Sequence, residues 1–114
     1  MAKTNKKTIK VVCNGNGNGE LIIKEVEAEK FDVLIIDDKI INLYIHRDII
    51  NNKKWTITEE ASGLFLRNDF KNKIVARNQY EKDIKDRLIA FIKNHYNIYL
   101  KFIKQFNEIL SNKN

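Results

Sequence analysis

The sequence predicts an α+β domain: an antiparallel sheet of about four to six hairpin strands, followed by one long C-terminal amphipathic helix. Three observations carry this. β-Branched runs separated by short polar clusters fill the first two-thirds of the chain. After Lys71-Asn72-Lys73 the apolar spacing switches to steps of three and four residues. The 114 residues, 43% of them hydrophobic, suffice for one core, and no proline- or serine-rich linker divides them. The expected organisation is a single domain over 1–114, with a flexible basic arm at 1–7, the sheet at 8–76 and the helix at 78–111.

Thr8 to Cys13 is short and β-branched, hence a strand. The run Asn14 to Gly19 alternates Asn with Gly, which tolerate positive φ, and reads as a loop. Glu20 to Glu29 mixes strand formers (Ile22, Ile23, Val26) with helix formers, and the strand is preferred. Val33 to Ile36 and Ile40 to His46 flank the polar tip Asp37-Asp38-Lys39 and form the clearest hairpin. Val33, Leu34, Ile35 and Ile36 are apolar on both faces, the pattern of a strand covered on both sides. Trp55 to Thr58 and Leu64 to Leu66 make a second hairpin around Glu59 to Gly63.

Asn78, with Glu81 three residues on, resembles a capping box. From there Ile84, Leu88, Phe91, Ile92, Tyr99, Phe102, Ile103, Phe106, Ile109 and Leu110 recur at helical spacing to Ser111. A continuous helix of that length would measure roughly 50 Å. If it breaks, Asn94-His95-Tyr96-Asn97 is the place. Its apolar stripe spans about 200°, against the ~100° that one core requires. The excess predicts a second cover, and a homodimer through Phe91, Ile98, Tyr99, Phe102, Phe106 and Ile109 is expected ahead of a helical hairpin within one chain.

The formal net charge is +6, which favours a polyanionic partner. Its distribution is uneven. Residues 1–10 hold Lys3, Lys6, Lys7 and Lys10 without an acid, and 20–38 are acidic. A single cysteine, Cys13, excludes an internal disulfide and suits a reducing cytoplasm. No apolar run reaches the ~18 residues of a membrane span, so no membrane role is expected.

Catalytic chemistry has little to stand on. Gly15, Gly17 and Gly19 are spaced by two and match neither a P-loop nor a dinucleotide fingerprint. His46 and His95 lie far apart, neither at zinc spacing from Cys13. His46 falls on the polar side of its strand and reads as a surface residue; His95 lies within the apolar stripe of the helix. Asp37-Asp38-Lys39 and Asp69-Phe70-Lys71 fit a loose D-x-K pattern which, with Asp48, defines a second alternative, a small Mg²⁺-dependent nuclease. The expectation is a protein that is not an enzyme, with no cofactor and no metal.

A nucleic-acid surface is the preferred reading. Its expected parts are the basic arm (Lys3, Lys6, Lys7, Lys10), cations near the sheet (Arg47, Lys53, Lys54, Arg67) and a helix face. On that face Lys93, Asn97, Lys101 and Lys104 fall within about 80° on a helical projection. Tyr44, Trp55 and Phe65 are candidate stacking aromatics. No zinc finger, RNP1 or helix-turn-helix signature is present, so the contacts would be mainly to phosphate.

The segment from Trp55 to Ile92, with W-T-I-T, a small-residue-Gly turn, a second strand and then a helix, resembles a layout found in small proteins of phages and mobile elements. It covers about a third of the chain. The resemblance implies a setting, the cytoplasm of a bacterial host, and an alternative function as an anti-CRISPR-like inhibitor of a host defence nuclease. In that alternative the acidic stretch Glu20 to Asp38 would imitate a phosphate backbone.

Overall fold

The computed structural model describes residues 6–15 and 20–111. Lys3 and residues 16–19 of the Asn/Gly run lie outside them. Five strands, β1 (Lys6–Gly15), β2 (Glu20–Ile36), β3 (Lys39–Arg47), β4 (Trp55–Glu59) and β5 (Phe65–Phe70), form one antiparallel sheet in sequence order. The helical region follows as α1 (Lys73–Gln79), a π-helical turn (Tyr80–Ile84), α2 (Lys85–Asn94) and α3 (Tyr96–Ser111). The α+β fold is therefore as expected, with five strands.

Several local expectations change. Of the arm expected over residues 1–7, Lys6 and Lys7 belong instead to β1, where they pair with Glu29 and Ala28, and residues 1–5 lie outside the described residues. The ambiguous stretch 20–29 is strand and continues unbroken to Ile36. Between Lys30 and Asp32 the register shifts, leaving Phe31 as the extra residue of a β-bulge. The bulge lets adjacent Phe31 and Asp32 both address the helices. The Phe31 ring meets Tyr80 edge-on at 5.0 Å, and the Tyr80 hydroxyl donates to Asp32 Oδ2 at 2.6 Å. Ile36 pairs with Lys39, so the hairpin tip is the two-residue turn Asp37-Asp38. Asp37 takes the positive φ of 56° that such turns demand.

One sheet face carries Leu34, Ile36, Ile41, Leu43, Ile45, Ile57 and Phe70 against Tyr80, Ile92 and Tyr99 of the helical region. The opposite face is not covered by a helix along the β2–β3 hairpin. Ile35 there is 75% exposed and Val33 and Ile40 are also exposed, which corrects the strand expected to be covered on both sides. Nearer β1 this second face closes on itself. The Val12 N–H donates to Gly63 O at 2.8 Å, and Lys7 pairs with Glu60 at 2.6 Å. β1 thus meets the β4–β5 turn although β2 and β3 lie between them in the sheet. This curl encloses Ile9, Val11, Ala28 and Tyr44 as a second cluster.

The helix starts earlier than expected. Asn72, not Asn78, is the cap, its Oδ1 accepting from Val75 N at 2.8 Å. The helix is also not continuous. His95 leaves helical geometry (φ −133°, ψ 41°), donates its N–H to Phe91 O, and its carbonyl accepts from Ile98 N and Tyr99 N. It thus ends α2 and begins α3, within the stretch where a break was anticipated. The chain bends sharply there. Phe91 and Phe102 stand ~16 Å apart along a straight helix, yet their rings stack at 6.5 Å. The wide apolar stripe is therefore divided between two helices with separate contacts.

Candidate nucleic-acid interface

The sheet gathers cations at one end. Lys6 begins β1, Arg47 ends β3, and Lys73 opens α1. Antiparallel pairing and the β5–α1 connection bring them onto one shallow hollow of about 280 Å³, with Trp55, Glu27 and Glu29. Lys53 and Lys54 stand beside it in the β3–β4 turn, because Arg47 pairs with Trp55 across the strands.

That turn is held by one carboxylate. Asp48 Oδ2 accepts from Ile50 N (3.3 Å) and Asn51 N (3.0 Å), and its Oδ1 accepts from the Thr56 hydroxyl (2.9 Å). Asn51 continues the ladder, its Oδ1 accepting from Lys53 N and its carbonyl from Lys54 N. Arg47 Nη1 donates to Asn52 O at 3.2 Å. A short polar segment thus becomes a fixed projection carrying Lys53 and half-buried Lys54.

Trp55 is the platform of this end. The Arg47 guanidinium lies 4.2 Å and the Lys73 ammonium 4.8 Å from its ring centre. Lys73 also pairs with Glu29. Trp55 is thus half-buried with two cations already on its ring.

The other expected residues disperse. Lys10 is exposed on β1, opposite Glu25, and Thr8 lies opposite Glu27. The basic start and the acidic stretch therefore face each other across one strand pair. Lys7 reaches Glu60 and lies 5.1 Å from the Tyr44 ring; the Glu60 contact pushes its ammonium up. Tyr44 itself is 4% exposed and offers no face to a base, which corrects its assignment as a stacking residue. Arg67 on β5 pairs through Nε with Asp69 at 3.1 Å. Lys93 lies near the end of α2, whereas Lys101 and Lys104 are exposed on α3, so the bend removes them from one common helix face.

The six residues expected at a dimer seam also separate. Tyr99 and Phe106 are buried within the chain. Phe91 and Phe102 line a cleft against β5, Ile109 packs near Val12 and Ile23, and Ile98 is exposed by the His95 elbow. The bend turns part of the stripe inward, and Ile98 and Leu100 stay exposed on α3.

His46, expected at the surface, is 2% exposed. Its Nδ1 lies 2.7 Å from Arg47 O and its Nε2 2.7 Å from Thr58 Oγ1. A carbonyl only accepts, so Nδ1 carries the proton and the Thr58 hydroxyl donates to Nε2. Burial pushes the imidazole below its usual range.

Among the described residues no group of three or more His, Cys, Asp or Glu could hold a metal ion. Asp48 serves its turn and Asp69 pairs with Arg67, so these two carboxylates are already engaged. No helix among the described residues is long and apolar enough to cross a membrane. The sequence missed Lys73, whose place beside Trp55 depends on where the helix begins; Asn72 at the cap was the available signal. No family model, curated protein or solved structure matches this chain.

Proposed function

We propose that this is a non-catalytic nucleic-acid-binding protein that contacts phosphates through the basic end of its sheet. One observation carries the reading: three segments distant in sequence converge Lys6, Arg47 and Lys73 on one hollow, with Lys53 and Lys54 on the braced turn beside it. Three cations line the hollow against the carboxylates of Glu27 and Glu29, and Lys53 and Lys54 on the adjoining turn add to the positive side. Arg47 and Lys73 are already oriented on Trp55, which lowers the ordering cost of a contact. Binding of this kind reads little sequence and weakens steeply with salt.

The test is fluorescence anisotropy of labelled single-stranded DNA, duplex DNA and RNA at about 50 and 200 mM salt. Affinity should fall at least tenfold over that range. The triple reversal Arg47→Glu/Lys53→Glu/Lys54→Glu should abolish binding, and Lys101→Glu/Lys104→Glu should change it little. Undetectable binding of all three polymers at the lower salt defeats the reading.

The setting is a phage or mobile element in a bacterial cytoplasm, supported by the W-T-I-T layout. A homodimer would use Ile98 and Leu100, both exposed on α3, and light scattering decides it. Inhibition of a host nuclease through Glu25, Glu27 and Glu29 is disfavoured by Lys10 opposite Glu25 and Lys6 opposite Glu29 on the neighbouring strand.

A further inference from the structure

We propose that the uncovered end of β2 is an edge on which a second copy of this chain pairs, strand against strand. β2 runs for 17 residues, but the 10 residues of β1 accompany only its first part. Lys6 stands opposite Glu29, and beyond it no strand flanks this side of β2 among the described residues. The hairpin fixes which backbone groups point outward. Ile36 and Lys39 flank a two-residue turn and so bond to each other. Alternation then turns the N–H and carbonyl groups of Val33 and Ile35 away from β3. The Val33 N–H agrees with this, since it donates to Asp32 Oδ1 at 2.9 Å. The side chains beside the edge are open as well. Ile35 is 75% exposed, its cross-strand neighbour Ile40 65% and Val33 41%. Residues 33–36 hold neither a proline nor a charge, the devices that blunt an edge.

Charge complementarity selects the occupant and its register. In a two-fold antiparallel pair, residue i meets residue j and j meets i. Setting Val33 opposite the partner's Ile35 joins the outward groups of both strands. The same register brings Lys30 level with the partner's Asp37 and Asp38, and by symmetry the partner's Lys30 level with Asp37 and Asp38 of the first copy. All three side chains are exposed, and none is in an ion pair among the described residues. Lys30 donates only to Asn42 Oδ1, at 3.2 Å. A lone strand edge falls short of the roughly 800 Å² per partner of a standard interface, so the dimer is weak, with a Kd on the order of 10 μM. The seam uses no residue of the basic hollow and lies on different elements from Ile98 and Leu100, so it rests on neither earlier reading.

The experiment is sedimentation velocity of the full chain carrying Ile98→Ser/Leu100→Ser, which removes the exposed apolar pair of α3, from about 1 to about 200 μM. A monomer–dimer equilibrium should remain in that background. Ile35→Pro deletes an outward N–H at a position where an edge strand accepts proline, and should abolish the dimer. Lys30→Glu and Asp38→Lys should each weaken it about tenfold, because each places like charges together twice. An equimolar mixture of those two variants should restore the original affinity, since both opposite-charge pairs form again. A purely structural role for either residue would not produce that rescue. Unchanged urea midpoints verify that the variants fold, and the charge variants decide the matter if Ile35→Pro does not. A monomer throughout at about 200 μM, a dimer that survives folded Ile35→Pro, or a mixture no tighter than its components overturns the proposal.

Discussion

Gly63 lies directly under the ring of Phe106. A Cβ added at Gly63 would stand 2.5 Å from Phe106 Cε1, and the residue holds φ at +69°. Its carbonyl accepts from Val12, so the same backbone joins β1, the β4–β5 turn and α3. Glycine is required twice, for the left-handed backbone and for the space. Gly63→Ala should destabilise the fold by about 2–4 kcal/mol, combining backbone strain and overpacking. Gly63→Ala/Phe106→Leu should cost less than the sum of its two single changes. Urea midpoints of the three variants measure that coupling.

His46 gives the protein an acid sensitivity. The unfolded imidazole titrates near its ordinary value of about 6.5, and burial holds the folded one lower. The unfolded state therefore binds the proton first as pH falls. The stability contributed by neutral His46 is complete above about pH 6.5 and is lost progressively below it. Denaturation midpoints of the parent protein and of His46→Gln, measured from about pH 7.5 to about pH 5, should converge as pH falls. Parallel curves would exclude His46 as the source.

The cap at Asn72 separates two accounts of where the helix begins. Asn72→Ala should cost about 1 kcal/mol, because Val75 N loses its acceptor. Asn78→Ala, at an exposed position inside α1, should be neutral or slightly stabilising. Thermal melts of both variants decide it.

Tyr80 fastens the helical region to the bulge of β2. It is wholly buried, and its hydroxyl donates to Asp32 while burial pushes that hydroxyl far above its ordinary range. Arg77 adds a second tie, donating from Nη2 to Phe31 O at 2.7 Å with its guanidinium over the Phe31 ring. Tyr80→Phe keeps the packing and removes one hydrogen bond to a carboxylate, so about 1–2 kcal/mol should be lost. Asp32→Asn should recover part of the loss in the double variant, since the remaining group is then uncharged.

The sequence alone determined the class of fold, because strand and helix periods are local properties. Val33 to Ile36 against Ile40 to His46, and Trp55 to Thr58 before Leu64 to Leu66, announce hairpins through alternation and turn residues. Phe91, Phe102 and Phe106 announce a helix through spacing. The same residues could not say which apolar groups end up exposed, since that depends on what crosses above them. Ile35 is open because the helices cover only the opposite face of the β2–β3 hairpin, and Tyr44 is shut in because β1 curls back to Gly63. Tertiary structure also decided which charges act together. Lys6, Arg47 and Lys73 become neighbours only through strand pairing and the position of the Asn72 cap, while Lys93 and Lys101 part company at His95. Local pattern fixes periodicity, and burial and charge clustering are long-range sums over the whole chain.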